Sequence, residues 1–469
     1  MTGPAHFARD LPRFGDATAL VLADGHVVSY AQLAREADAF SARLFASGIA
    51  AREIVLVLAR NDLPSVAAYL GCLRARIPLM LLEPSVPRDR IDALVRALGV
   101  RAVVGEGGMI EATNQPARSV RHDLALLLST SGSTGNPKSV MLSLENLHAN
   151  AVSIASYLPM RPDDVAITSL PLPYSFGLSI LNSHLLVGAR VVLTGEPLVG
   201  KEFWRLVREY GVTSFAGVPF SYQMLRTLRF ERMALPSLRY FTQAGGRLPA
   251  ELVAYAQDLK TKTGLPFFVM YGQTEATARM AYLRPELLES HGDCIGEPIP
   301  GGEFFLRDPE SGSTVEGPGA VGELVYRGPN VMIGYAESAD DLASSGLLKE
   351  LATGDLAERL PVGVYRITGR TKRIVKIQGK RWQLDHVEAE LARRGIAALA
   401  TGRDDKLRIA VIDPDTASTS RDDVYRWLNE ELHVHPSLFE VVRLPEVPRT
   451  PNGKVDYPAI LAYTPGDGP

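Results

Sequence analysis

Ser129-Thr130-Ser131-Gly132-Ser133-Thr134-Gly135-Asn136-Pro137-Lys138 decides how this chain is read. The apolar run Leu124-Ala125-Leu126-Leu127-Leu128 precedes it and predicts a buried strand. The ten residues hold two glycines, five hydroxyls and one lysine. Amides opened by glycine, hydroxyl donors and a cation can wrap a polyphosphate. The spacing is not that of a Walker loop, which sets a glycine directly before its lysine. Here Pro137 precedes Lys138, and only Ser133 and Thr134 separate Gly132 from Gly135. Proline donates no amide and fixes φ, so this loop closes on phosphate in another way.

Further motifs follow in order. Tyr271-Gly272-Gln273-Thr274-Glu275 comes after a second apolar strand, Phe267-Phe268-Val269-Met270. Then come Thr353-Gly354-Asp355, the basic stretch Gly369-Arg370-Thr371-Lys372-Arg373-Ile374-Val375-Lys376, and Thr450-Pro451-Asn452-Gly453-Lys454-Val455-Asp456. In this order the five stretches resemble the motifs of the adenylate-forming superfamily: acyl- and aryl-CoA ligases, adenylation domains of peptide synthetases, and beetle luciferases. The resemblance spans essentially the whole chain. In the phosphate loop it breaks only at Ser139, where the family has glycine.

The resemblance implies an enzyme that joins a carboxylic acid to ATP, releases pyrophosphate, and passes the acyl group from acyl-AMP to a phosphopantetheine thiol. Thr130, Ser131, Gly132, Ser133, Thr134, Gly135 and Lys138 would hold the phosphates, with Thr130 and Thr134 as side-chain donors. Tyr271 offers a flat face to adenine, with Gly245, Gly246 and Gly272 beside it. Thr274 would donate to a phosphate oxygen, and Glu275 would supply a carboxylate to Mg²⁺, a hard ion that takes oxygen ligands. Asp355 would accept from both ribose hydroxyls, helped by Arg370. Lys454 would bridge carboxylate and α-phosphate as negative charge builds up, a task for a fixed cation. Lys372 stands at the expected hinge. The implied fold is a large α/β N-terminal domain, 1–370, of layered sheets and helices, and a small, mobile α+β C-terminal domain, 371–469.

The bulk numbers agree. A chain of 469 residues needs more than one core. It is 22% charged and 46% hydrophobic, an ordinary globular composition. A net charge of −3 gives no reason to expect nucleic acid or an anionic membrane as partner. The two cysteines, Cys72 and Cys294, lack metal-ligand spacing. Met1 to Asp10 holds no apolar core for a signal peptide, and no apolar run would span a bilayer. A soluble, cytoplasmic protein is expected.

Local signals predict alternating elements, the pattern of α/β layers. Asp24-Gly25 marks a hairpin between Ala19–Leu22 and Val27-Val28. Ser29 and Gln32 form a capping box for a helix that buries Leu33, Ala37, Phe40 and Leu44 and stops at Gly48. A strand at 54–58, a helix at 66–73 and a strand at 77–82 follow. Ser143 caps a helix with Leu144, Leu147, Ala151, Ile154 and Leu158 inside. Strand 365–368 closes the large domain. The small domain is expected to hold strands near 374–377, 408–412 and 439–443 and helices near 385–393 and 421–432.

The acid is read from a third stretch, Pro171-Leu172-Pro173-Tyr174-Ser175-Phe176-Gly177. Where α-amino acids are activated, the resembled domains place aspartate directly after the aromatic, opposite the substrate ammonium; here it is Ser175. A buried ammonium without a counter-charge is costly. Tyr174, Ser175, Phe176, Gly177, Val218 and Thr277 instead suggest an apolar pocket with a few hydroxyls. An aryl or short-to-medium acyl acid with an uncharged tail is expected, with an α- or β-amino acid as the alternative. A carrier protein in trans is the expected acceptor, with CoA close behind. A non-catalytic nucleotide-binding interaction protein and a simple ATP hydrolase remain as readings of other classes.

Overall fold

The structure is a computed structural model. It describes residues 6–118, 120–129, 138–344, 346–378, 380–412, 421–431, 434–449 and 455–464, with the backbone alone at 372, 374, 380, 381, 421, 422 and 431. Two compact units divide the chain, Met1–Phe304 with Tyr326–Leu351, and Phe305–Val325 with Ala352–Pro469. The expected boundary at 370/371 falls inside the second unit, which takes in the strand Tyr365–Arg370.

In the first unit, Val55–Leu58, Leu79–Leu82 and Leu124–Ser129 pair in parallel. Strands covered on both faces do not alternate, which is why all three read as continuous apolar runs. With Ala102–Val104, Ile110–Ala112, Ser139–Ser143 and Gly334–Ala336 they complete a seven-stranded sheet. One of its faces packs Leu56, Met80 and Leu127 against Ile91, Val95 and Leu98 of the helix Arg88–Leu98.

A second sheet runs Ser214–Gly217, Tyr240–Gln243 and Phe267–Tyr271 in parallel, then Ala281–Leu283 and Glu297–Pro298 antiparallel. Trp204, Phe215, Tyr222, Phe230, Phe241 and Phe267 pack against it with ring centroids 5.0–6.5 Å apart. Each such pair adds about 1 kcal/mol beyond its buried area.

A third sheet of four strands carries the predicted hairpin, with Gly25 at φ 89° in its turn. The capping box forms in both directions: the Gln32 amide donates to Ser29 Oγ at 3.2 Å, and the Ser29 amide to Gln32 Oε1 at 2.8 Å. The helix Tyr30–Ala46 buries the four predicted residues. The next helix, Leu63–Ala75, is longer at both ends than its apolar run. Asp62 caps it, and Pro64 fits the first turn, where no amide is needed. Ser143 caps Leu144–Tyr157 as expected, although Leu144 itself is only half-buried.

The second unit is built on a five-stranded sheet ordered Thr314–Val315, Glu303–Arg307, Val321–Arg327, Leu351–Arg359, Tyr365–Arg370. Beyond it lie the hairpin Ile374–Ile377/Lys380–Gln383 and the sheet Ala398–Arg403, Lys406–Ile412, Phe439–Leu444. Leu384, Val387 and Leu391 of one helix meet Ile409, Val424 and Trp427 in its core. Two of these strands escape the sequence pattern: Lys380–Gln383 is mostly polar, and Ala398–Arg403 holds small residues and a glycine. The helix expected over 421–432 is α-helical only through Arg426 and then widens into a π turn, Trp427–Glu431. Among the described residues no helix is long and apolar enough to cross a membrane.

Candidate active site

Ligands in α/β sheets take the crevice beyond the carboxyl ends of parallel strands. In the second sheet Gly217 pairs with Gln243, and Gln243 with Val269. Val218, Gly245 and Gly272 therefore leave the sheet along one edge. Tyr174 closes this edge. A Cβ on Gly245 would lie 2.4 Å from the Tyr174 hydroxyl and 3.1 Å from Val218 Cγ1, and Gly245 has φ 82°, so only glycine fits. Gly246 lies against Pro219. The structure thus gathers Tyr174, Val218, Gly245 and Gly246. Burial pushes the Tyr174 phenol up, against the pull of the Arg279 charge, so it stays neutral.

The helix Ser175–Val187 starts at this point. A Cβ on Gly177 would sit 2.3 Å from the Pro171 carbonyl, which sets how closely the helix meets the preceding turn. Ser175 Oγ lies 3.2 Å from Thr274 Oγ1, linking the acid-pocket stretch to the Tyr-Gly-Gln-Thr-Glu stretch. Phe176 is buried, and its ring lies 4.5 Å from the guanidinium carbon of Arg279.

The segment from Gly272 to Arg279 is tightly folded. A Cβ on Gly272 would meet the Ala278 carbonyl at 1.7 Å. Thr277 and Ala278 have φ 56° and 95°, where a non-glycine residue costs roughly 1–3 kcal/mol. Asn330, buried in the same unit, offsets this strain. Its Nδ2 donates to the carbonyls of Ala276 (2.8 Å) and Arg279 (2.9 Å), while its Oδ1 accepts from Tyr326 (2.9 Å). Thr277 Oγ1 donates to the Asn330 carbonyl at 2.6 Å, and Thr277 also lines a cavity with Ser175. Tyr271 is half-buried, with its hydroxyl 3.3 Å from Gln273 Nε2.

Glu275 is held by the Tyr335 hydroxyl, 2.9 Å from its Oε1. Tyr335 sits on the edge strand Gly334–Ala336, paired with Ser139–Ser143. Lys138 Nζ lies 3.0 Å from Glu337 Oε1 and 5.7 Å from the centre of the Tyr335 ring. The loop lysine and the Glu275 carboxylate thus meet one tyrosine. Ser139 pairs with both Ser129 and Ala336 as an ordinary strand residue, so nothing at this position requires glycine. Among the described residues no three His, Cys, Asp or Glu side chains cluster to bind a metal alone. A single carboxylate suits Mg²⁺, which shares its shell with phosphates and water. Glu275 fits that role.

In the second unit, Asp355 pairs across strands with Arg370, whose Nε donates to Asp355 Oδ1 at 3.0 Å. The Asp355 amide donates to Thr353 Oγ1, which in turn donates to the Leu324 carbonyl. The carboxylate is buried, while Arg370 is largely exposed. The Lys372 backbone lies in the 3₁₀ turn Thr371–Arg373. Thr130, Ser131, Gly132, Ser133, Thr134, Gly135 and Lys454 lie outside the described residues.

Three residues absent from the sequence reading shape these sites: Arg279, Asn330 and Tyr335. Arg279 had a signal, as the one charge in the otherwise apolar or small run Ala276–Leu283. Asn330 and Tyr335 had none, because their partners are distant in sequence.

The sequence model of the AMP-binding enzyme family matches residues 7–336. A probable non-canonical nonribosomal peptide synthetase of Salinispora arenicola is 30% identical over 97% of this chain, which spans 6% of the synthetase's length. An indoleacetate–CoA ligase of Aromatoleum aromaticum is 27% identical, with 91% of each chain covered. The structure of the O-succinylbenzoate coenzyme A synthetase of Bacillus subtilis with AMP superposes with a TM-score of 0.80 over 97% of this chain and 98% of that one. At 22% identity, that likeness is one of fold. The chain belongs to the AMP-binding enzyme family.

Proposed function

We propose that the chain activates a carboxylic acid with ATP and transfers the acyl group to a thiol. A carboxylate oxygen attacks the α-phosphorus, pyrophosphate leaves, and acyl-AMP forms. The thiol sulfur then attacks the acyl carbon, AMP leaves, and the thiol proton goes to solvent. The observation that carries this reading is the 3.2 Å contact between Ser175 and Thr274. It brings the start of the stretch proposed for the acid to Thr274, the residue next to Glu275.

Roles follow from chemistry. Lys138 and the loop Thr130–Gly135 hold the phosphates. Tyr271 with Gly272, Gly245 and Gly246 walls the adenine, and Asp355 and Arg370 take the ribose. Glu275 would hold Mg²⁺, which when bound neutralises phosphate charge. Lys454 bridges the two anions, and residues 371–469 turn about Lys372 between the half-reactions. Ser175 disfavours an α-amino acid. The acceptor is the thiol of a carrier protein in trans, with CoA as the other candidate, and the reaction is cytoplasmic.

Carboxylate-dependent ATP–pyrophosphate exchange across an acid panel, followed by mass detection of the thioester with carrier protein and with CoA, tests this reading. Exchange should require a carboxylic acid. Phosphate release without any acid, or bound AMP with no exchange, overturns it.

A further inference from the structure

Arg279 is the largest fully buried side chain among the described residues, 2% exposed. No carboxylate pairs with it among the described residues. Its Nη1 lies 3.2 Å from the Tyr157 hydroxyl and 2.7 Å from Met270 Sδ, its Nη2 lies 3.2 Å from Ser179 Oγ, and its Nε has no partner. Phe176 stacks on its face. The acid Asp164 is already engaged by Arg239 and the Thr213 hydroxyl. A buried cation without a counter-ion costs several kcal/mol, and stacking on one ring returns about 2 kcal/mol at most. As it stands, the site lacks one negative charge.

A cavity reaches this cation through Ser179, with Leu128, Leu142, Leu147 and Leu178 as apolar walls and Ser175 and Thr277 among its polar groups. Ser179 belongs to both: it faces the cavity, donates to the Phe176 carbonyl at 2.7 Å, and so accepts from Arg279. Ser175 and Ser179 are one helical turn apart on one face, about 6 Å along the helix. Ser175 is the residue that touches Thr274. A short acid whose reacting carboxylate lies at the Thr274 end would place its far end near Ser179 and the guanidinium.

We propose that Arg279 is the counter-charge for a second carboxylate, and that the preferred substrate is a short dicarboxylic acid with an aliphatic or aryl linker. This rests on the acid-activating reading above. It replaces the uncharged tail expected from Tyr174–Gly177 alone, because that stretch does not include the cation facing it. The second carboxylate accepts from Nη2 and displaces the Ser179 contact. The planar fork of arginine suits such a bidentate acceptor.

The test is pyrophosphate exchange with length-matched pairs: succinate against butanoate, adipate against hexanoate, and terephthalate against 4-methylbenzoate. In the wild type one dicarboxylate should exceed its partner in kcat/KM by roughly 10- to 100-fold, the worth of hydrogen bonds to a charged group. Arg279→Met should reverse that preference, and Arg279→Lys should keep part of it. If Arg279→Met does not fold, the wild-type preference and that of Arg279→Lys still decide the matter. Wild-type preference for the monocarboxylates overturns the dicarboxylate proposal while leaving acid activation intact, as does an equal preference in wild type and Arg279→Met. Absence of exchange with every acid overturns the function and this inference together.

Discussion

The Tyr335 hydroxyl donates to Glu275 Oε1 across 2.9 Å, joining the edge strand beside the phosphate-loop motif to the turn that carries the candidate Mg²⁺ ligand. Burial and the neighbouring Glu275 charge both push the phenol's pKa up, so it remains a donor. Its ring also faces Lys138. One residue therefore orients the carboxylate proposed for the metal and the lysine proposed for phosphate.

Tyr335→Phe removes that donor and keeps the ring. Hydrogen bonds to a charged group contribute roughly 1.5–3 kcal/mol. Exchange should need several-fold more Mg²⁺ for half its maximal rate, with kcat/KM for ATP about 10-fold lower. A Mg²⁺ titration checks this, and a curve that overlays the wild type would remove Tyr335 from the site.

Asn330→Ala strands the Ala276 carbonyl and the Tyr326 hydroxyl, while the Arg279 carbonyl keeps its bond from Asn150 Nδ2. Buried groups left unpaired cost about 1–3 kcal/mol each. The variant should lose about 3 kcal/mol in urea unfolding, and exchange should fall as the strained turn at Thr277 and Ala278 relaxes. Full activity with lowered stability would show that the turn holds its shape without the clamp.

The fold was legible where local chemistry dominates. The hairpin at Asp24-Gly25, the caps at Ser29 and Ser143 and the buried parallel strands all depend on neighbours within a few residues. The strands Lys380–Gln383 and Ala398–Arg403 were not, because cross-strand partners rather than an apolar pattern define them. The site divides in the same way. Glu275 and Ser175 stand inside contiguous motifs. Asn330 reaches Thr277, and Tyr335 reaches Glu275, from more than fifty residues away, a distance no local pattern encodes.

Arg373 anchors the second unit. It pairs with Asp385 at 3.1 Å and Glu388 at 2.7 Å, and its guanidinium carbon lies 3.7 Å from the centre of the Tyr457 ring. Burial pushes both carboxyls up, and Arg373 opposes this. Arg373→Met removes the largest opposing charge; Arg370 still lowers Asp385 and the Ala400 amide still lowers Glu388, but burial, the largest cause at both, then prevails. Protons retained in the folded state then stabilise it below the unfolded carboxylate range, and this is lost as pH rises through the raised folded values. The variant should be destabilised by about 3–5 kcal/mol at neutral pH and less at acid pH. Tm measured at pH 5 and pH 8 reads the sign. An equal deficit at both would mean the carboxylates carry no such charge.

The roles proposed for Lys454 and Lys372 separate the two half-reactions. A cation that bridges carboxylate and α-phosphate matters only while adenylate forms, because later the α-phosphate is part of the leaving AMP. Lys454→Ala should therefore lower pyrophosphate exchange by a factor on the order of 10², comparable with losing an oxyanion donor. Thioester formation from supplied acyl-adenylate should persist. Lys372→Pro should do the reverse. Proline fixes φ and cannot donate its amide, so a rotation about this position would be blocked after adenylation, and the thioester would fail to form. Each variant serves as the other's control for folding. Wild-type exchange in Lys454→Ala would remove the lysine from the chemistry. A parallel loss of both half-reactions in Lys372→Pro would place the hinge elsewhere.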